Sequence, residues 1–540
     1  MGQQMNKRRH VIKLGLLTGA GINFIGTPEA RAAGPHSARG TEGQRLADQG
    51  NGRFLNPVFA GDHPDPTILK DGDDYYMTFT SFESAPALTI WHSHDLLNWT
   101  PLGPALMNPP GNVFAVDLCK HNGRYFIYIP VIPNALSKGL RGPGIFVIHA
   151  DNISGPWSEP VSLDITGHID PGHVVGEDGK RYLFLSGVSR VALTDDGLAT
   201  AGPVEHVYDG WKYPDGWTVE GYALEGPKLL RRGGWFYLIS AVGGTAGPAT
   251  GHMVIAARSR SVHGPWENCP HNPIVRTRSE SERWWSRGHA TVVEGPAGDW
   301  WMVYHGYENG FRTLGRQMLL DPIAWTADGW FKALGGDLSR PLPKPRGTRA
   351  QDQARGISLS DDFMENRLGQ IWTLYDPGPD ELARVRYEPN ALLLSGKGKS
   401  PSDSSPLTCP AGDHVYEFSV DIELEGDVQG GVLLFYSRRL YCGMGHDGSR
   451  MTTYSTGQAT YHREPAPAVR RIHMRIVNDR NIVTMYYSED GNTWTRHGKR
   501  MEVSGYNHNT ADEFLSLRPG LFAIGSGTVR FRNFRYHALA

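Results

Sequence analysis

From about residue 53 onward, short apolar or alternating runs are separated by turns centred on Gly, Asp and Asn, a pattern that predicts many short strands and few helices. One unit recurs. A polar residue heads an apolar run, a turn follows, and an aromatic strand returns. Asp65 leads to Asp71-Gly72 and Tyr75-Tyr76-Met77, and Asp117 to Asn122-Gly123 and Tyr125-Phe126-Ile127. Asp170 leads to Asp178-Gly179 and Tyr182-Leu183-Phe184, and Glu225 to Gly233-Gly234 and Trp235-Phe236-Tyr237. His289 leads to Gly298 and Trp300-Trp301-Met302. The heads are spaced by 52, 53, 55 and 64 residues, and Ser154-Gly155-Pro156-Trp157 is echoed by His263-Gly264-Pro265-Trp266. A period near fifty residues with four short strands per unit predicts an all-β chain whose residues 53–340 form a five-bladed β-propeller.

The first strand of each propeller blade lines the central channel, so residues far apart in sequence meet there. Asp65, Asp117, Asp170, Glu225 and His289 are therefore expected around one pocket. Asp65 lies between Pro64 and Pro66, which restrict its backbone and pre-aim its carboxylate. Beyond Arg340-Pro341-Leu342-Pro343-Lys344-Pro345, residues 341–357 read as a linker rich in Pro, Arg and Gln. Alternating runs at 415–424, 431–436, 471–477 and 483–487, a hairpin turn at Ser488-Glu489-Asp490-Gly491 and closing strands within 520–536 predict a second domain over 358–540. Its expected form is a β-sandwich, jelly-roll and concanavalin-like.

Composition narrows the partners. Among 540 residues there are 54 Lys+Arg and 56 Asp+Glu, a formal net charge of -2 that supplies no basic field for nucleic acid or an anionic membrane surface. A neutral partner such as a carbohydrate fits better. At the N-terminus, Lys7-Arg8-Arg9 precedes a moderately apolar run from Leu14 to Ile25, and Ala30-Arg31-Ala32 offers a cleavage site. Residues 1–32 thus read as a twin-arginine-type signal for export to the periplasm or beyond, and 33–52 as a flexible leader. No later stretch reaches the ~20 continuous apolar residues of a membrane span. Cys119, Cys269, Cys409 and Cys442 lack metal-site spacing and read as buried small residues, with a bridge between Cys409 and Cys442 left open.

The repeat heads and their flanking residues resemble glycoside hydrolase family 43, five-bladed propeller enzymes that hydrolyse pentose-containing plant polysaccharides with inversion. The resemblance runs from Asn56-Pro57-Val58 through the fifth repeat and continues into the C-terminal sandwich found in its β-xylosidase and α-L-arabinofuranosidase members. It implies Asp65, in His63-Pro64-Asp65-Pro66, as general base and Glu225, in Leu224-Glu225-Gly226-Pro227-Lys228, as general acid. Asp117, in Ala115-Val116-Asp117-Leu118, would be the third acid that raises the proton affinity of Glu225. Glu220 is a rival acid, but without a following Gly-Pro it reads as a loop residue or as one that supports the site from behind. Arg316, in Leu314-Gly315-Arg316-Gln317, resembles the substrate-binding arginine, and Phe82 and Phe114 the apolar wall against a sugar ring. Many relatives carry Trp where Phe114 stands. His289 matches an axial histidine that in relatives touches calcium or water, so a structural Ca2+ at the propeller axis and a hydrogen-bonded core histidine both stand as readings. The chemistry itself calls for no cofactor.

The expected activity is that of an inverting exo-glycosidase acting on terminal α-L-arabinofuranosyl or β-D-xylosyl residues of xylan- or arabinoxylan-derived oligosaccharides. A retaining β-fructosidase-like enzyme shares the architecture, but opens on an Asn-Asp-Pro-Asn type of motif and lacks the Leu-Gly-Arg stretch. A non-catalytic carbohydrate-binding propeller would be expected to have lost one of Asp65, Asp117 and Glu225, and all three are present.

Overall fold

The computed structural model describes residues 37–134, 142–347, 356–460, 466–511 and 513–539. The export-signal reading of residues 1–32 lies outside the described residues. Five antiparallel sheets form the propeller, each built on four strands in sequential order, with a short fifth strand added in the second and fourth. Their first strands are Thr67–Asp71, Asp117–His121, Gly172–Val175, Gly221–Arg232 and Trp284–Glu294. Each of these touches the first strand of the next blade, and Trp284–Glu294 touches Thr67–Asp71, so the ring closes around a channel.

Burial follows position within a blade. Second and third strands such as Trp235–Gly243 and Met253–Ser259 lie between neighbouring blades and are buried almost throughout. Such strands read as continuous apolar runs. Ring closure rests on packing between the first and last blades, where Phe54, Ile68, Trp91, Val293, Trp301 and Leu320 share one core cluster. Arg53–Phe54 also pairs with Leu342–Pro343, joining the two ends of the propeller.

The second domain packs a seven-stranded sheet against an eight-stranded one. Val415–Glu425 and Arg471–Asp479 pair in antiparallel register and alternate buried with half-exposed residues, as expected of a sheet with one face on a core. The eight-stranded sheet does not end at the domain boundary. Thr373–Tyr375 pairs with Ser84–Ala85 of the first blade, so one ladder of backbone hydrogen bonds runs from sandwich into propeller. Arg518 adds side-chain bonds to Asp62 (3.1 Å) and Ser84 (3.2 Å), and the Leu517 amide donates to the Thr313 carbonyl (2.7 Å).

The stretch expected as a flexible leader is tied down over its described part. Ala38–Arg39 pairs with Arg45–Leu46, and the Arg45 guanidinium lies 2.8 Å from Glu308 of the fifth blade while its amide donates to Asp413 of the sandwich (2.9 Å). A buried guanidinium needs several partners, and only a fixed backbone can present it to both domains. The four cysteines are free, with Cys119 half-buried and the other three buried.

A buried lysine locks three blades together. The Lys228 ammonium donates to the Val116 carbonyl (2.7 Å), the Asp117 carboxylate (2.7 Å) and the Pro171 carbonyl (3.0 Å). Replacing Lys228 by Met strands the buried Asp117 charge, and the expected loss is about 3–5 kcal/mol of unfolding free energy. Chemical denaturation measures it, and Asp117→Asn in the Lys228→Met background should recover part of the loss. Equal stability of Lys228→Met and the parent would contradict the assignment.

Candidate active site

The backbone aims the repeat heads at the axis. Asp65 (φ 55°), Asp170 (φ 56°) and His289 (φ 58°) all adopt the left-handed conformation, and so does Gly226 (φ 60°) beside Glu225. Such a conformation costs a non-glycine residue about 1 kcal/mol or more, and clusters where a side chain must take an orientation that regular strand would not give. In the fourth and fifth blades the strand register also shifts, on either side of Glu225 and between Gly288 and Thr291. These bulges re-aim the intervening residues. Glycine suits position 226, where φ is positive and a Cβ would lie 3.0 Å from the His289 ring.

The cavity at this end of the channel is lined by Asp65, Asp170, Glu225, His289, Thr245 and Arg316, with Phe82, Phe114 and Phe514 along its apolar side. Asp65 is buried and heavily partnered. Its Oδ2 accepts from the Thr80 hydroxyl at 2.6 Å, and its Oδ1 from Arg316 Nη1 at 3.1 Å. His305 Nδ1 lies 3.0 Å and His289 Nδ1 3.4 Å from the same Oδ1. His305 Nδ1 is also 3.1 Å from the Asp65 amide, but one nitrogen cannot serve both. The charged acceptor is the stronger partner, so Nδ1–H points to the carboxylate and the Thr245 hydroxyl donates to Nε2 (3.1 Å). Burial by itself would raise the Asp65 carboxyl. Arg316, then His289 and His305, overcome it and hold the group well below the usual carboxylate range.

Glu225 and Asp170 form a second acidic centre. Asp170 Oδ2 accepts the Gly226 amide at 3.0 Å, which seats it beside the residue following Glu225. Burial, then the charges of Glu225 and Asp65, push the Asp170 carboxyl well above its usual range. Glu225 is opposed by burial, yet His252, at 3.0 Å from Oε1, and then His289 bring it below its usual value. Two interacting carboxyls take up protons as a pair, so this centre holds a proton at pH values where an isolated carboxylate would not. The two differ in reach. The Glu225 side chain is 23% exposed, whereas Asp170 is 4% exposed.

Asp117 does not join them. Its Oδ1 is bound to Lys228, its Oδ2 accepts the His173 amide at 2.7 Å, and it is absent from the cavity lining. The carboxylate positioned against Glu225 is that of Asp170, one blade further round. Arg316, Phe82 and Phe114 do line the cavity, with the Phe82 and Phe114 rings 5.2 Å apart edge to face. Glu220 does not, because its carboxylate accepts the Ala246 (2.8 Å) and Gly247 (3.0 Å) amides and ties down a loop.

His289 Nε2 is buried without a hydrogen-bond partner, and burial lowers this imidazole to about 4 against the opposing pull of Asp65 and Glu225. Among the described residues, no group of three carboxylate or imidazole ligands of metal-site size includes His289. A lone nitrogen is a poor fit to calcium, which takes six to eight oxygens.

The pattern of strands and turns gave no notice of Phe514, His252, His305 and Thr245. Phe514 belongs to the sandwich, and its ring lies parallel to Phe82 at 6.2 Å with the Arg316 guanidinium 5.1 Å away. His252 and His305 are stacked at 5.2 Å and fully buried. A signal for His305 does exist in Trp300–Glu308, where an imidazole interrupts an otherwise apolar, buried strand.

Comparison with known proteins agrees with this geometry. The profile of "Glycosyl hydrolases family 43" matches residues 54–331, and that of "Beta xylosidase C-terminal Concanavalin A-like domain" matches residues 360–537. A xylan 1,3-beta-xylosidase of a Vibrio species is 30% identical over 383 residues, covering 63% of this chain and 68% of that protein. A non-reducing end alpha-L-arabinofuranosidase of Bacteroides ovatus is 31% identical over 366 residues, covering 64% and 65%. The crystal structure of a GH43 protein from Bacillus licheniformis superposes with a TM-score of 0.79 at 27% identity, over 90% of this chain and 100% of that one. With a propeller, a concanavalin-like sandwich and a cavity lined by three carboxylates, this chain belongs to glycosyl hydrolases family 43.

Proposed function

We propose that the chain is an inverting exo-glycosidase that removes terminal α-L-arabinofuranosyl or β-D-xylosyl residues from xylan- or arabinoxylan-derived oligosaccharides. The observation that carries this reading is the contrast between two acidic centres on one cavity. Asp65 is held ionised by Arg316, and the Asp170–Glu225 pair retains a proton. Inverting hydrolysis needs that pairing of an ionised base and a protonated acid.

In the proposed reaction Asp65 takes a proton from a water that attacks the anomeric carbon. Glu225, the more exposed member of its pair, gives a proton to the glycosidic oxygen as the bond to the anomeric carbon breaks. The products are the free sugar of opposite anomeric configuration and the shortened chain. Both carboxyls return to their starting states by exchange with solvent. Asp170 serves as a positioning residue: two neighbouring buried carboxyls resist ionising together, so its presence keeps a proton on the pair for Glu225 to deliver.

Pentose specificity is supported by the activities named for the Vibrio and Bacteroides relatives. Attack at chain ends is supported by Phe514, which brings the sandwich against the cavity next to Phe82.

Purified protein is expected to release 4-nitrophenol from the α-L-arabinofuranoside, the β-D-xyloside or both. Asp65→Asn and Glu225→Gln should each lower kcat by about 10²–10⁴-fold, the range for loss of a general base or acid. Proton NMR of the first sugar released should show inverted anomeric configuration, and retention would exclude this mechanism. Asp117→Asn, by contrast, should cost stability far more than kcat.

The pH–rate profile should be bell-shaped. The Asp170–Glu225 pair must keep its proton, so activity falls on the alkaline side as that proton is lost. Asp170→Asn removes the like charge, lowers the proton affinity of Glu225 and should move the alkaline limb to lower pH by about one unit or more. An unmoved alkaline limb would remove Asp170 from the proposed role. Phe514→Ala should raise KM on oligosaccharides more than it lowers kcat, because it removes wall rather than reacting groups.

A further inference from the structure

The first blade carries a second cluster of ligating side chains, at the opposite end of its strands from Asp65. Thr67–Asp71 runs away from Asp65 to a turn at Gly72, and Asp74 opens the returning strand Asp74–Thr78. Its neighbour Ala87–Ser93 pairs Tyr76 with His92 and Tyr75 with Ser93. His92 and His94, two apart, project from the same face, and that face meets Asp74.

The donor atoms converge. His92 Nε2 lies 2.7 Å and His94 Nδ1 3.2 Å from the same Asp74 oxygen, Oδ1. The two imidazoles stand nearly perpendicular, at 84° with centroids 4.6 Å apart, and His92 is backed by the stacked ring of Tyr76 at 5.3 Å. One donor atom from each of the three side chains lies within 4.8 Å of the others, and among the described residues no other group of three does so.

From this geometry we propose that Asp74, His92 and His94 form a binding site for a divalent transition-metal cation of the zinc class. Zn–N distances of about 2.0–2.1 Å in a tetrahedron put neighbouring ligand atoms ~3.3 Å apart. The observed separations of 2.7 and 3.2 Å reach that value through small side-chain rotations about a fixed two-strand frame. Two imidazoles with one carboxylate suit zinc, and copper or nickel also, but not calcium or magnesium, whose preferred ligands are oxygens. With side chains 23% (His92), 52% (His94) and 37% (Asp74) exposed, an ion has access and a fourth position stays open to water. The ordinary alternative is a pair of histidine–aspartate hydrogen bonds. One carboxylate oxygen can accept both bonds, so the two readings part on metal uptake, which only the convergence of all three donors on one ion provides.

Such an ion would join two neighbouring strands of one blade in the folded state. Metal should therefore raise the unfolding midpoint in proportion to its affinity.

The test uses the full chain prepared without a histidine tag, stripped with EDTA and dialysed. Equilibrium dialysis against zinc chloride with elemental analysis is expected to give one zinc per chain. Cobalt(II) should give the visible absorption bands of a low-coordinate nitrogen and oxygen site. His94→Ala and Asp74→Asn should each abolish both signals and the zinc-dependent rise in unfolding midpoint, while unfolding in EDTA like the parent shows that they fold. Calcium chloride at the same concentration should leave the midpoint unchanged. Zinc uptake no greater in the parent than in His94→Ala, or a midpoint raised equally by calcium, would overturn the site.

Discussion

Gathering carboxylates inside a ring of packed strands is the constraint on which this structure depends. Asp65, Asp117 and Asp170 are all buried, and a buried carboxylate is tolerated only when paired, hydrogen-bonded or protonated. Each of the three meets that requirement differently. Asp117 is neutralised by Lys228 and becomes a structural tie between blades. Asp65 is neutralised by Arg316 while remaining on the cavity, which leaves an ionised oxygen facing the site. Among the described residues no cation pairs with Asp170, and burial beside Glu225 and Asp65 raises its proton affinity instead.

The same requirement explains the position of the second domain. The first blade donates Ser84–Ala85 to the edge of the sandwich sheet, and Phe82, just before it, packs in the sandwich's own core cluster. Phe82 is thus held from behind by one domain while lining the cavity of the other. Arg316 benefits in turn, because its guanidinium lies against the Phe82 and Phe514 rings at 5.5 and 5.1 Å. Aromatic faces shelter the cation from water and strengthen its hold on Asp65. The sandwich is therefore part of the electrostatics of the site as well as its wall.

Much of the fold was legible along the chain. The turn-and-aromatic repeat located all five blades, since four-stranded antiparallel sheets place a tight turn after each first strand. Alternation over 415–424 and 471–477 matched two paired strands of the sandwich, because one face of each is buried and the other is not. The leader was misread for a physical reason. Its polar, Gly-rich composition resembles a solvated tail, but the partners of Arg45 lie more than 250 residues away on both domains.

The repeat and the polar residue heading each blade are written in the chain, and four of those five heads, Asp65, Asp170, Glu225 and His289, line the cavity. Which acid plays which part was decided by tertiary structure alone. Asp117 and Asp170 each head a blade, and although Asp170 precedes Pro171 as Asp65 precedes Pro66, that local signal does not say which of the two meets Glu225. What separates them is the direction of one lysine side chain, which reaches back from the fourth blade to Asp117 and leaves Asp170 beside Glu225. The same holds for His252, His305 and Phe514. Their places depend on how blades and sandwich pack, and packing is set by shape and charge across the whole ring, not by the residues on either side.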